Sequence, residues 1–247
     1  MSLRQSPDDE FPSLVCEFLI PEGASGASVD GRALSLPVPQ PERIVIIGDT
    51  GCRLEFGDPP QSCNDPGQWP FERIALAASS FTPDLVIHVG DYLYREDDAC
   101  PEGDEGCAGS PFGDNEATWK ADFFSPADPL LRAAPWAFTR GNHEECSRAG
   151  RGWFNFLDPN PPFADCQKYT PPFAINLLGL QLLMLDSSAA KDDSAPDEEV
   201  AEYTAQIDEL EDAALGDGWM LTHHPFWGIG QDSDGVFDLN DTLQTAT

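Results

Sequence analysis

Four apolar segments of this chain are each followed by side chains that can bind a metal ion or exchange a proton. The side chains concerned are Asp49, Asp91, the cluster Asn142-His143-Glu144 and the pair His223-His224. A hydrophobic core would reject such clusters, because unpaired polar groups are costly to bury. If the apolar segments are strands, these side chains lie at strand carboxyl ends, where ligands gather in α/β sheets. We therefore predict a site for two metal ions at these ends.

Asp91 is predicted to bridge the two ions, because a carboxylate between cations about 3.5–4 Å apart is typical of two-metal hydrolases. Asp49 is expected on one ion, and Asn142 and His223 are expected on the other. Tyr94 follows Asp91 by three residues, so one turn of chain would bring its phenol to the ion that carries Asp49. A phenolate must lose its proton to bind and favours a hard trivalent ion such as iron(III).

The chemistry open to these residues is hydrolysis of a phosphoester. Two metal ions lower the pKa of bound water to near neutrality, and the metal-bound hydroxide that forms can attack phosphorus. His143 is predicted to act as general acid beside the leaving group, with Glu144 orienting or tuning it. His224 is expected to line the substrate pocket. Arg140 is a candidate for phosphate contact, with a surface or loop salt bridge as the commoner alternative.

Alternating strand and helix patterns from residue 43 onward place the chain in the α/β class, as a layered sandwich. Strands are predicted at 43–49, 85–91, 135–139, 173–178, 180–186 and 218–223. Helices are predicted at about 70–80, 116–124, 129–134 and 197–215, and a polar loop at 228–247. Residues 1–42 are interpreted as an N-terminal β-rich arm or the remnant of a small β module, and residues 43–247 as the main domain.

The composition limits the partners that this chain can have. Its 247 residues contain 44 Asp and Glu against 13 Lys and Arg, which gives a formal net charge of -31. Nucleic acids and anionic membranes need a basic surface, so neither is expected as a partner. A small phosphorylated substrate would be repelled at long range, and bound cations would supply the local positive charge that it needs. The oligomeric state does not follow from the sequence.

The seven cysteines are typical of an oxidising compartment, because most lie in Gly-, Pro- and Asp-rich loops and none forms the close pairs of a zinc ribbon. Among the pairings that the sequence allows, we favour Cys52–Cys63, Cys100–Cys107 and Cys146–Cys166, which leaves Cys16 over. No apolar run reaches the roughly eighteen residues needed to cross a bilayer, and no signal peptide is visible. The cysteines alone favour a periplasmic or extracellular location.

The motifs, taken in order, resemble those of the calcineurin-like metallophosphoesterases. They are Gly48-Asp49-Thr50-Gly51, Gly90-Asp91-Tyr92-Leu93-Tyr94, Gly141-Asn142-His143-Glu144 and His223-His224-Pro225. The tyrosine three residues after the second aspartate is similar to that of the purple acid phosphatase branch. The resemblance implies a four-layer α/β/β/α sandwich, a dinuclear centre of iron with zinc, manganese or a second iron, and phosphoester hydrolysis. It also implies the ligand sets Asp49, Asp91 and Tyr94 for one metal and Asp91, Asn142 and His223 for the other, with His143 at the substrate.

The chain departs from this family pattern at its downstream end. The family closes its site with a Gly-His-X-His motif, whereas the last histidine here is His224. We therefore expect the metallophosphoesterase domain to be incomplete at the C-terminus, truncated before that motif. A phosphomonoesterase is the leading hypothesis. The alternatives are a phosphodiesterase on nucleotides or lipids, or a catalytically impaired fragment or binding protein with an incomplete metal site.

Overall fold

The structure, a computed structural model, describes residues 2–21, 23–54, 59–96, 100–163, 165–216, 218–227, 230–231, 237–238 and 241–247. The strands in this part of the chain are β1 (Ser2–Gln5), β2 (Val15–Glu17), β3 (Ala27–Val29), β4 (Arg32–Leu34), β5 (Ile44–Ile47), β6 (Leu85–His88), β7 (Trp136–Phe138), β8 (Phe173–Leu177), β9 (Leu180–Met184), β10 (Trp219–Leu221), β11 (Gly230–Gln231) and β12 (Phe237–Asp238). The helices are α1 (Phe71–Ser80), α2 (Glu116–Trp119), α3 (Ser125–Leu131), α4 (Gly150–Phe156), α5 (Asp197–Ala213) and α6 (Asp241–Ala246). A π-helical turn, Lys120–Phe124, joins α2 to α3, and Asn142–Glu144 is a short 3₁₀ helix.

Two three-stranded sheets form the centre of the fold. The first has the order β5-β6-β7 with all strands parallel. The second has the order β10-β9-β8, in which β9 pairs in parallel with β10 and antiparallel with β8. Gly179, between β8 and β9, has a φ of 77°, a left-handed conformation that glycine adopts without steric cost. The predicted hairpin is therefore confirmed.

Side chains alternate between the two faces of each sheet, as the two-residue period of a strand requires. In β6, Val86 packs toward α1 and α3, while Leu85 and Ile87 pack toward the second sheet. In β9, Leu183 packs toward α5, and its neighbours on either side pack toward the first sheet. Each sheet is thus covered on both faces, which gives the predicted layers of helix, sheet, sheet and helix.

The helical segment before β7 differs from the prediction. The sequence predicts separate helices at 116–124 and 129–134, whereas α2, the π-helical turn and α3 continue without a break from 116 to 131. Its fully buried apolar side chains, spaced three or four residues apart, are Trp119, Phe123, Ala127 and Leu130. Their burial against the first sheet offsets the backbone hydrogen bond that Pro129 cannot donate, so one continuous segment forms.

The end of the chain contains a helix where the sequence predicts a polar loop. Leu243 in α6 is fully buried in the cluster that includes α5. The Thr242 hydroxyl donates to the Ser194 carbonyl at 2.8 Å and accepts from the Lys191 N–H at 3.1 Å. The loop prediction is wrong for residues 241–246, because one buried leucine gives too short an apolar pattern to indicate a helix. It is also wrong for the two-residue strands β11 and β12, and its residues 228–229, 232–236 and 239–240 lie outside the described part of the chain.

The N-terminal residues pack onto the rest of the fold. β1 and β2 pair antiparallel, and Phe11 in their connection is 1% exposed within the same apolar cluster as Trp119. The Arg4 guanidinium contacts the carboxylates of Glu17 and Asp158 at 3.1 and 3.5 Å. The division of the chain at residue 42 stays a prediction.

Disulfides close three loops within the described residues. The pairs are Cys52–Cys63, Cys100–Cys107 and Cys146–Cys166, as predicted, and Cys16 is exposed. Such bonds persist in oxidising compartments and suggest a location outside the cytoplasm. Among the helices described here, none has both the length and the apolar character of a membrane-spanning helix.

Candidate metal centre

The loops after β5 and β6 meet at one edge of the fold. The N–H groups of Asp49 and Thr50 donate to the carbonyls of Gly90 and Asp91, both at 3.0 Å, so the pairing of the strands continues into the loops. Asp49 and Asp91 have left-handed backbone conformations, with φ of 54° and 60°. In residues other than glycine such conformations cost free energy and persist where the surrounding structure imposes them. Here they bring two carboxylates together.

Asp49, Asp91 and His223 each offer one ligand atom, and these three atoms lie within 4.8 Å of one another. The His223 Nδ1 lies 2.9 Å from the Val89 carbonyl oxygen, so Nδ1 carries a hydrogen and Nε2 faces the site. That Nε2 is 3.3 Å from Asp91 Oδ2 and 2.9 Å from Asn142 Oδ1. The loops after β7 and β10 therefore reach the same place as those after β5 and β6.

Asp91 and His223 change the pKa of each other. Burial disfavours the ionised form of Asp91. The hydrogen bond and positive charge of His223 together outweigh burial and lower the pKa of Asp91 well below its ordinary value. Burial also disfavours the charged form of His223, but the hydrogen bond and charge of Asp91 outweigh it and raise its pKa to about 9. Asp91 is therefore ionised at neutral pH, and a cation that binds His223 must displace a proton.

The Tyr94 hydroxyl lies between two acids. It donates to Asp91 Oδ2 at 2.7 Å and lies 3.0 Å from Asp49 Oδ1. Burial, and then the negative charge of Asp91, raise the pKa of the phenol well above its ordinary value. A phenolate ligand therefore requires an ion whose charge outweighs both carboxylates, which a trivalent ion does best.

This donor set fits hard or borderline metal ions. It combines two carboxylates, an imidazole nitrogen, an amide oxygen and a phenol, which are ligands that iron, manganese and zinc accept. The hydrogen bond from His223 Nδ1 to a backbone carbonyl is the support that metal-binding histidines ordinarily receive. Tyr94 and His223 both contact the same oxygen of Asp91, Oδ2.

Two glycines allow these loops to approach closely. Gly90 has a φ of 106°, and a Cβ there would lie 2.6 Å from His223 Nδ1 and 2.8 Å from Gly141 Cα. A Cβ at Gly141 would overlap Asp91 Oδ1. Each motif therefore needs glycine at this position for a steric reason.

The Glu144 carboxylate holds the loop that carries Asp91. It is fully buried and accepts hydrogen bonds of 2.8–3.2 Å from the backbone N–H groups of Asp91, Tyr92, Leu93 and Gly141. Burial, and then the negative charge of Asp91, raise its pKa to about 7. The sequence predicts that Glu144 orients or tunes His143, whereas these contacts hold the loop that carries Asp91. We therefore treat Glu144 as a positioning residue.

His143 faces the site from the 3₁₀ helix. Its N–H donates to Asp91 Oδ1 at 3.1 Å, and its ring centroid lies 3.8 Å from that of Tyr94. Its Nδ1 is 2.5 Å from Glu96 Oε1 and 2.8 Å from a guanidinium nitrogen of Arg148. Neither of these partners is predicted by the sequence. Glu96 could have been found from its place two residues after Tyr94, but nothing in the sequence connects Arg148 with His143.

His224, predicted to line the substrate pocket, lies beside the metal centre. Its ring centroid is 5.2 Å from that of His223, and its Nδ1 is 3.3 Å from Asp192 Oδ1. Burial lowers the pKa of His224, and the positive charge of His223 lowers it further. His224 is therefore suited to remain neutral next to the site.

Arg140, the other predicted substrate contact, does not reach the site. Its side chain is buried, and its guanidinium donates to the Glu144 and Gln167 carbonyls, both at 2.8 Å. It also pairs with Asp186 at 3.3 Å and lies 4.9 Å from the Phe154 ring centroid. The salt bridge that was the alternative for Arg140 is the arrangement found, because the guanidinium satisfies buried acceptors behind the site.

This chain was compared with curated protein sequences, solved structures and protein-family models. No curated protein sequence matches it. Among solved structures, one titled "Structure of PhoD" matches with 14% sequence identity and a TM-score of 0.48, covering 87% of this chain and 48% of the other. This chain thus spans about half the length of that protein, and a likeness of this degree carries no argument about function. A family model described as calcineurin-like phosphoesterase matches residues 42–236, which include every predicted metal ligand. The chain therefore belongs to the calcineurin-like phosphoesterase family.

Proposed function

We propose that this protein is a metal-dependent phosphoester hydrolase with a dinuclear centre, acting on phosphomonoesters. The observation that carries the proposal is the convergence of Asp49, Asp91 and His223, whose ligand atoms lie within 4.8 Å of one another. Membership of a family described as phosphoesterases supports the reaction class.

In this proposal Asp49, Asp91 and Tyr94 hold one metal ion, and Asp91, Asn142 and His223 hold the other. Iron paired with zinc, manganese or a second iron suits the set, because the Tyr94 phenol between two acids ionises most readily on a trivalent ion. When bound, such ions acidify water so that it can attack phosphorus near neutral pH, and they offset the charge on the phosphoryl oxygens.

The side chains around His143 are proposed to orient this residue and to let it donate a proton. His143 Nδ1 contacts Glu96, whereas Nε2 lies 3.8 Å from Asp91 Oδ2 and 3.1 Å from a guanidinium nitrogen of Arg148. We assign His143 Nε2 as the group that gives a proton to the oxygen of the leaving alcohol. Arg148 places a guanidinium beside His143, and its pair with Glu96 at 2.6 Å offsets the charge of that carboxylate near an anionic ester.

The setting that we propose follows from the charge and the cysteines. The substrate is a small phosphorylated molecule, and neither nucleic acid nor an anionic membrane is proposed as a partner for so acidic a chain. Three disulfides favour a periplasmic or extracellular location. Residues 43–247 are proposed as the catalytic domain and residues 1–42 as its appended arm.

The test is hydrolysis of an aryl phosphomonoester by the purified chain loaded with iron, zinc or manganese. We expect turnover that chelation removes and added metal restores. Asp91→Asn and Asn142→Ala are expected to lose more than about 100-fold, because even an outer partner of a metal site is worth roughly 10–100-fold. The matched control is Asp128→Asn, which makes the same chemical change in an exposed pair with Arg132. Unchanged activity in both site variants would eliminate the proposal.

A comparison of rates on a monoester and on its bis-ester tests the finer assignment. Faster hydrolysis of the bis-ester would replace a phosphomonoesterase by a phosphodiesterase. Less than one metal ion per chain after loading, together with no turnover, would instead indicate a binding protein with an incomplete metal site.

A further inference from the structure

A cleft opens beside the candidate metal centre, on the side of Asp49 and Tyr94. Its volume is about 650 Å³, and both of these side chains form part of its wall. Asp49 is exposed, whereas Asp91 behind it is buried. Small-molecule sites commonly have volumes of about 300–1,000 Å³. A substrate with its phosphoryl group at the metal centre would therefore have space in this cleft for the rest of the molecule.

The wall of the cleft is cross-linked. The disulfide Cys52–Cys63 closes the segment that carries Gln61. The Gln61 side chain accepts from the Arg53 N–H at 3.1 Å and donates to the Gln68 carbonyl at 2.8 Å. These contacts of Gln61 hold the described part of the wall in place, which reduces the entropy lost on binding.

Part of the cleft is lined by apolar side chains. They include Pro59, Pro60, Trp69, Phe71 and Ile74. The Trp69 Nε1–H donates to the Thr50 carbonyl at 2.9 Å, and the Gln61 amide is used within the wall, so these polar groups are not offered to a ligand. An aromatic or branched aliphatic group would gain contact area against these apolar side chains.

The charge of the cleft differs from that of the chain as a whole. The chain carries 44 acidic residues and 13 Lys and Arg, yet the carboxylate in the described lining is that of Asp49, a proposed metal ligand. Arg53 adds a guanidinium to the same wall. Within the described lining, an anionic ester would therefore meet one acid, Asp49, whose charge the proposed metal ion would offset.

We propose that this cleft is the subsite for the alcohol portion of the substrate, and that the substrate is a phosphomonoester of a compact aromatic or branched aliphatic alcohol. The inference rests on the phosphoesterase function proposed above and adds to it the class of substrate.

Ile74→Trp tests the inference by filling the cleft. Ile74 is 48% exposed on α1 and lines the cleft, while Leu76 is 60% exposed on the same helix and is not part of the lining, so Leu76→Trp is the matched control. We expect Ile74→Trp to raise the KM for phenyl phosphate about tenfold, a size typical of steric changes in an apolar pocket. The inhibition constant of inorganic phosphate, which has no alcohol portion, should not change, and Leu76→Trp should change neither constant.

Calorimetric titration of the metal-loaded protein with phenylphosphonate gives the same comparison without turnover, and its Kd should rise about tenfold in Ile74→Trp alone. If the protein hydrolyses phosphomonoesters but Ile74→Trp and Leu76→Trp have equal KM and Kd, the inference fails and the proposed function stands. A third outcome is that phenylphosphonate binds, Ile74→Trp raises its Kd, and yet no ester is hydrolysed. The proposed function then fails, while the cleft remains a binding site for an aromatic group. A wild-type preference for glycerol phosphate over phenyl phosphate would also overturn the inference.

Discussion

The Tyr94 hydroxyl donates a hydrogen bond of 2.7 Å to Asp91 Oδ2, across one turn of chain. The same hydroxyl oxygen lies 3.0 Å from Asp49 Oδ1, so the phenol proton occupies the place where a cation would join the two acids. The pKa of Tyr94 is raised by burial and then by Asp91, which keeps this proton on the phenol. Only a strongly charged ion could replace it there.

Tyr94→Phe is therefore expected to remove the colour of the iron-loaded protein. Tyrosinate bound to iron(III) gives a violet absorption band, so wild type loaded with iron should show the band and the variant should not. Tyr92→Phe is the control, because the Tyr92 hydroxyl donates to the Thr139 carbonyl at 2.8 Å and not to the candidate ligands. A colourless, zinc-replete wild type, or a band that survives in Tyr94→Phe, would exclude Tyr94 as a ligand.

Metal uptake is expected to release a proton at neutral pH. The pKa of His223 is raised to about 9, so its imidazole is charged at pH 7 and must lose a proton before it binds a cation. The apparent metal affinity should rise about tenfold per pH unit until about pH 9. Calorimetry of Tyr94→Phe, which has no phenol proton to lose, in two buffers of different ionisation enthalpy measures the protons released by His223, and a value of zero at pH 7 would contradict the assignment.

Glu144→Gln is expected to destabilise the fold. An amide presents hydrogens where the carboxylate accepts them from backbone N–H groups, including that of Asp91, and an unsatisfied buried group costs about 1–3 kcal/mol. Glu145→Gln is the control, because Glu145 contacts the exposed Ser147 hydroxyl. Denaturant unfolding compares the free energies, and equal values for the two variants would show that Glu144 does not hold the Asp91 loop.

Glu96→Gln is expected to lower kcat more than it changes KM. Glu96 lies 2.5 Å from His143 Nδ1, and loss of its charge would leave the ring of the proposed general acid less firmly oriented. A decrease of about 10–100-fold, with a displaced pH profile, is the expected result. Glu102→Gln changes an exposed acid in the following loop and should have no effect. An unchanged pH profile in Glu96→Gln would show that Glu96 does not act on the proposed general acid His143.

The positions of the candidate ligands could be predicted because each follows a short apolar strand. Parallel strands end at one edge, so Asp49 and Asp91 had to lie near each other once β5 and β6 were recognised. The role of Glu144 was harder to predict, because its partners are backbone N–H groups, which carry no residue-type signal. Arg140 illustrates the same limit, since its buried acceptors are mostly carbonyls.

The helical segment at 116–131 shows why local patterns were insufficient elsewhere. Pro129 indicated a boundary by local rules, but burial of Trp119 and Leu130 against the first sheet decided the conformation. Arg148 was missed for a similar reason. Its contact with His143 depends on the turn between the 3₁₀ helix and α4, and five residues of separation in an irregular segment predict no contact.

Gly90→Ala is expected to abolish metal binding while leaving a folded protein. A Cβ at Gly90 would lie 2.6 Å from His223 Nδ1, so the imidazole would be pushed away from Asp91. Gly103→Ala is the matched control, because Gly103 also has a positive φ, of 86°, but a Cβ there would have no neighbouring atom within 4 Å. Both variants carry similar backbone strain, so the difference between them isolates the steric effect. The number of metal ions per chain measures metal binding, and circular dichroism checks that each variant is folded. Wild-type metal content in Gly90→Ala would mean that His223 does not bind the metal ion from this position.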